Sequence, residues 1–113
     1  MQFRVVAAEN QLTEDRGFVV EVEGRPIVIF LRGSHVFALD DLCPHAGASL
    51  ERGRLIGNAV ECPMHGAKFD LSTGLCRTRH VPANQRLVTH SVRLLDGRVE
   101  LALASEPVTQ PDA

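Results

Sequence analysis

The sequence has 113 residues, 44% of them apolar and 23% charged, the proportions of one soluble globular domain with its own core and not of a disordered or collagen-like chain. Twelve basic residues against fourteen acidic ones give a formal charge of −2, which argues against a protein built to coat nucleic acid or an anionic membrane. Five Phe and no Trp or Tyr leave few aromatic faces on which single-stranded bases could stack.

Taken in chain order, the elements read as strands. The stretch Met1 to Glu9 has one Arg and an apolar segment too short for a signal peptide. The longest apolar run, Ile27 to Leu31, has five residues, where a membrane helix needs about 20. Phe3 to Ala7 is a candidate strand, and Ala8 to Leu12 is the one helix-like turn. Gly17–Val22 and Pro26–Leu31 are β-branched runs flanking Glu23-Gly24-Arg25, the pattern of a hairpin. Val36–Leu39 follows the Gly33-Ser34 turn. Near the end, Leu87–Leu94 and Val99–Leu103 flank Asp96-Gly97, a second hairpin signal. Short strands with closely spaced turns predict an all-β sandwich or barrel.

The middle of the chain differs. From Leu42 to Pro82 it is rich in Gly, Pro, Cys and His, with brief strand signals at Arg54–Ile56, Asn58–Glu61 and Ala67–Phe69. Such a stretch is expected to bury little apolar area and to need a bound metal for its order. Without metal, it is expected to lose that order while the two ends stay folded. The expected organisation is a single domain over residues 1–106, with a cluster-binding subdomain at about 42–83, and a flexible tail at 107–113.

Three Cys and five His are many for this length. Four of them form two short clusters, Cys43-Pro44-His45 and Cys62-Pro63-Met64-His65, separated by sixteen residues. Each cluster offers one thiolate and one imidazole on a Pro-stiffened loop, closely followed by Gly47 or Gly66. Two metal centres fit this set: one zinc with two Cys and two His ligands, or two bridged irons with Cys on one and His on the other. Zinc fingers usually keep like ligands together. Mixed loops, each spanning both metals, favour the two-iron centre. An odd Cys count suits a reducing, cytoplasmic compartment better than a secreted disulfide framework.

Cys43-Pro44-His45-Ala46-Gly47, Cys62-Pro63-Met64-His65-Gly66 and the following Lys68-Phe69-Asp70-Leu71-Ser72-Thr73-Gly74 resemble the Rieske [2Fe-2S] family. The resemblance covers most of the chain, including the Asp96-Gly97-Arg98-Val99 hairpin. It implies an all-β Rieske fold of antiparallel sheets with the cluster loops at one tip, and one [2Fe-2S] cluster per chain. It implies Cys43 and Cys62 on the inner iron and His45 and His65 on the outer, solvent-facing iron. Respiratory members add a disulfide between the loops, where this chain has Ala48 and Met64. They also add Ser and Tyr hydroxyls toward the cluster sulfurs, where this chain has Ala67 and Phe69. Fewer hydrogen bonds to sulfur lower the potential, toward roughly −150 mV, the low end of the Rieske range.

The chain has no room for the mononuclear-iron domain of a Rieske oxygenase. It is therefore similar to the stand-alone ferredoxins of aromatic-ring-hydroxylating dioxygenases, which carry single electrons from a flavoprotein NAD(P)H reductase to a terminal oxygenase. Such a carrier has no catalytic residues, and it is expected to be monomeric, with no nucleic-acid or membrane partner. The rival family reading is the small subunit of an NAD(P)H-dependent nitrite reductase; the bland one is a structural zinc module.

An apolar rim of Pro44, Ala46, Leu50, Pro63, Met64 and Pro82 is expected around the outer iron, with Asp40, Asp41 and Glu51 steering a basic partner. Cys76, His35 and His90 read as structural residues. His80 lies where the family has a loop covering the cluster, and Arg52, Arg54, Arg77 and Arg79 read as a solvated face.

Overall fold

The computed structural model describes residues 2–42, 49–64, 66–77 and 86–104. Nine strands are found among them: β1 (Arg4–Ala8), β2 (Phe18–Val22), β3 (Arg25–Arg32), β4 (His35–Asp40), β5 (Arg54–Ile56), β6 (Ala59–Glu61), β7 (Lys68–Asp70), β8 (Thr89–Leu95) and β9 (Arg98–Ala102). One turn of 3₁₀ helix, Glu9–Gln11, follows β1. The expected all-β fold is what the chain adopts.

Six strands form an antiparallel sheet in the order β1-β9-β8-β4-β3-β2. Both hairpins read from the sequence are present, with Val22 paired to Arg25 and Leu95 to Arg98. Their central residues, Glu23-Gly24 and Asp96-Gly97, all have positive φ. That is the type I′ geometry, whose twist matches that of the flanking strands. Ala7 of β1 and Val22 of β2, from opposite edges of the sheet, enter one core with Ile27, Ile29, Ala38, Val99 and Leu101. Sharing that core requires the sheet to curl into a near-barrel.

β3 explains the longest apolar run. Successive side chains of a strand point to opposite faces, and both faces of β3 are covered. Ile27 and Ile29 face the barrel core, while Val28 and Phe30 face a second core. β4 divides the same way, with Ala38 in one core and Leu39 in the other.

The second core lies under a small antiparallel sheet, β5-β6-β7. Here the structure corrects the expectation that the middle of the chain buries little. Leu50, Val60, Cys62, Ala67, Phe69, Leu71 and Leu87 are buried together with Val28, Phe30 and Leu39. The three-residue strands bury two residues at most, and β7 buries Phe69 alone; so few apolar positions make no periodic signal. The wall of β3 and β4 supplies the rest of the core.

Gly74 fastens the segment after β7 to the start of the last hairpin. The Leu87 N–H donates to Gly74 O at 2.8 Å. A Cβ at Gly74 would stand 2.0 Å from Leu87 O, and φ there is 77°, so only glycine fits this crossing.

Candidate metal centre

Of the four ligand residues read from the sequence, Cys62 lies among the described residues, while Cys43, His45 and His65 lie outside them. Cys62 directly follows β6 and begins the turn to β7. Its N–H donates to Ala67 O at 2.7 Å, and the Gly66 N–H donates back to Cys62 O at 3.0 Å. These two bonds close a tight loop around the Cys62-Pro63-Met64-His65-Gly66 motif. Cys62 is 1% exposed and in no disulfide, whereas Pro63 and Met64 beside it face solvent, Met64 at 64%. A thiol rooted in a core and a neighbouring surface tip suit an inner metal ligand next to an exposed contact. The soft thiolate of Cys62 fits an iron–sulfur centre.

The first motif is held from both flanks. Asp41 ends its approach from β4, and its N–H donates to Pro26 O at 2.9 Å. Across the motif, the Leu50 N–H donates to Asp41 Oδ1 at 2.7 Å and Ser49 Oγ donates to Oδ2 at 2.8 Å. Leu50 then packs in the same core as Cys62. The bases of both loops thus rest on one apolar floor.

Asp40 points elsewhere, into a network joining β3, β4 and β8. Arg25 Nη2 donates to its Oδ1 at 3.2 Å, and His90 Nε2 lies 2.8 Å from the same oxygen. His90 Nδ1 accepts the Ala104 N–H at 2.9 Å, so the proton of a neutral ring sits on Nε2 and is donated to Asp40. Burial of Asp40 pushes its pKa up. The His90 hydrogen bond and the Arg25 charge outweigh that, and together they hold the Asp40 carboxyl below the ordinary aspartate range.

These contacts revise the docking surface read from the sequence. Leu50 is fully buried and cannot belong to an exposed rim. Asp41 is almost wholly buried and Asp40 is tied up by Arg25 and His90. Of the three steering acids, only Glu51 is exposed. Pro63 and Met64 are exposed, as the expected rim requires. Pro44, Ala46 and Pro82 lie outside the described residues. Leu42, just before the first motif, is 54% exposed, an apolar surface residue that the sequence reading did not include in the rim. Its position next to Cys43 was the available signal.

The residues read as structural behave so. His90 is locked in its network, and Cys76 packs half-buried against the core between the sheets. His35 is exposed at the start of β4 beside Phe37. Arg54 pairs with Glu61 and Arg77 with Asp70, while Arg52 is exposed. His80, Arg79 and the expected tail at 107–113 lie outside the described residues. No helix of the described residues is long and apolar enough to cross a membrane.

Residues 2–99 match the family model of the Rieske [2Fe-2S] domain. The chain belongs to the Rieske family. Its cofactor is accordingly a Rieske-type [2Fe-2S] cluster. The anthranilate 1,2-dioxygenase ferredoxin subunit of Burkholderia cepacia is 31% identical over 100 residues, 88% of this chain and 91% of that one. Among solved structures, the ferredoxin of carbazole 1,9a-dioxygenase from Nocardioides aromaticivorans IC177 superposes with a TM-score of 0.82. It is 25% identical, and the match covers 92% of this chain and 100% of that one. A complex of reduced oxygenase and oxidized ferredoxin in carbazole 1,9a-dioxygenase contains a chain that matches with a TM-score of 0.78 at 28% identity, covering 96% of this chain and 97% of that one. These named relatives of this Rieske chain are electron carriers and not catalysts.

Proposed function

We propose that this chain is the Rieske ferredoxin of an aromatic-ring-hydroxylating dioxygenase system, passing single electrons from a flavoprotein NAD(P)H reductase to a terminal oxygenase. The observation that carries the reading is the near-whole-length likeness to ferredoxin components, 91% of the anthranilate relative and 100% of a carbazole one. A complex between an oxygenase and a similar ferredoxin supports the choice of recipient. The same curated relative supports an oxygenase system over the small nitrite reductase subunit.

In this reading Cys43 and Cys62 hold the inner iron, and His45 and His65 the outer one. The bound cluster supplies a one-electron acceptor and donor. The protein roots Cys62 in the core between the sheets and leaves Leu42, Pro63 and Met64 at the surface. An apolar contact of that size suits brief encounters with two partners in turn.

The test is turnover with candidate reductase and oxygenase pairs, scored as hydroxylated product formed per NAD(P)H oxidised. Omitting the chain should abolish product, and Met64→Glu should slow delivery about tenfold while iron content stays unchanged. Product formation without the chain, in every pair tried, would contradict the reading. An unchanged rate for Met64→Glu would move the docking site elsewhere.

A further inference from the structure

We propose that Asp41 is a positioning residue for the cluster, the clasp that closes the loop carrying Cys43 and His45. The proposal rests on the reading of those two residues as ligands. Asp40 and Asp41 are adjacent, yet they serve different regions. Asp40 binds Arg25 and His90 within the large sheet. Asp41 turns its carboxylate to the far end of its own loop, accepting from Ser49 Oγ at 2.8 Å and from the Leu50 N–H at 2.7 Å.

Burying a carboxylate is costly unless its oxygens are matched by donors. Asp41 is 6% exposed, and both of its oxygens are matched. Ser49 Oγ in turn accepts the Glu51 N–H at 3.1 Å, which fixes the hydroxyl so that its proton points at Asp41. The clasp is anchored at both ends. The Asp41 N–H is bonded to Pro26 O, and Leu50 is set in the apolar floor that also holds Cys62. One carboxylate therefore ties the first ligand loop to the sheet on one side and to the root of the second ligand loop on the other. Asn at this position keeps an oxygen for the Leu50 N–H and turns an amide toward Ser49 Oγ, which can accept it. Ala keeps neither.

The experiment compares holoprotein with Asp41→Ala, Asp41→Asn and Ser49→Ala for iron per chain, the EPR spectrum of the reduced state, and the rate of iron release to a chelator. Ile29→Val, in the barrel core, is the control for general loss of stability, and Cys43→Ser is the control for the ligand reading. Asp41→Ala is expected to release iron about tenfold faster and to broaden or shift the EPR lines. Asp41→Asn should restore most of both properties, Ser49→Ala should fall between, and Ile29→Val should leave the lines unmoved. If Asp41→Ala fails to fold, Ser49→Ala carries the test, since it removes one bond of the clasp and leaves Asp41 in place. Release and lines that match the unsubstituted protein in Asp41→Ala, or in Ser49→Ala where Asp41→Ala is lost, would overturn the positioning role. Should Cys43→Ser lose its cluster in that case, the ligand reading stands and only the clasp falls. A Cys43→Ser protein with its full cluster would overturn the ligand reading itself.

Discussion

The near-barrel and the three-stranded sheet are stabilised in different ways. The barrel draws its core from long strands with β-branched side chains, Ile27 and Ile29 of β3 and Val99 of β9 among them, closed by two type I′ turns. The small sheet has strands of three residues and holds its place by laying Val60 and Phe69 on Val28, Phe30 and Leu39. Because it packs on the barrel wall, the expectation is that metal orders the ligand loops and that the sheet keeps its order without it. The two regions divide the labour: one builds its own core from long strands, and the other has short strands and carries the loop of Cys62.

The comparison is broken most severely at the ligand. Cys62→Ser should abolish cluster assembly, read as loss of iron and of visible absorbance. Hydrogen exchange on that variant should show faster exchange for Gly66 and the residues flanking the first motif, with β3, β4 and the strands β5–β7 still protected. General loss of protection across β5–β7 would show that metal orders the sheet after all.

Next in size is the floor between the sheets. Phe69→Ala should cost about 3–5 kcal/mol, because Phe69 is fully buried and joins the two regions. Ile29→Val, in the barrel core, should cost about 0.5–1.5 kcal/mol. Denaturant unfolding followed by circular dichroism measures both. If the Phe69 loss were as small as that of Ile29→Val, the two regions would not share a core that matters.

The smallest effect is expected at the Asp40 network. Its pKa lies lower in the folded chain than in the unfolded one. Its contribution is therefore complete above the unfolded value, about 3.9, and is lost as the pH falls through the folded value. Asp40→Asn should be less stable than the parent at pH 7, and the gap should close on acidification toward pH 3. Thermal melts of the two proteins across that range check the sign. A gap that widened in acid would contradict it.

The sequence reads well where the physics is local. Asp96-Gly97 and Glu23-Gly24 mark their turns because glycine takes positive φ without strain, and β3 shows its strand because four successive apolar positions, Ile27 to Phe30, are buried. The motif around Cys62 is legible because the proposed ligand chemistry restricts residue type. What escapes is set by distant partners. Asp40 and Asp41 look like a pair of surface acids until β3 brings Arg25 and Pro26 beside them, and until His90 arrives from 50 positions away. Leu50 looks like a rim residue because its floor is built from β3, β4 and β7. Phe69, alone in a three-residue strand, gives no sign that it spans two sheets.

One measurement bears most directly on the account: an EPR-monitored redox titration of the holoprotein. With Ala67 and Phe69 in place of hydroxyl-bearing residues, the expected result is a rhombic signal that rises along a one-electron curve with a midpoint near roughly −150 mV. A midpoint above about +100 mV, well up the Rieske range, would contradict the low-potential carrier. A colourless, EPR-silent protein holding one zinc would contradict the carrier altogether.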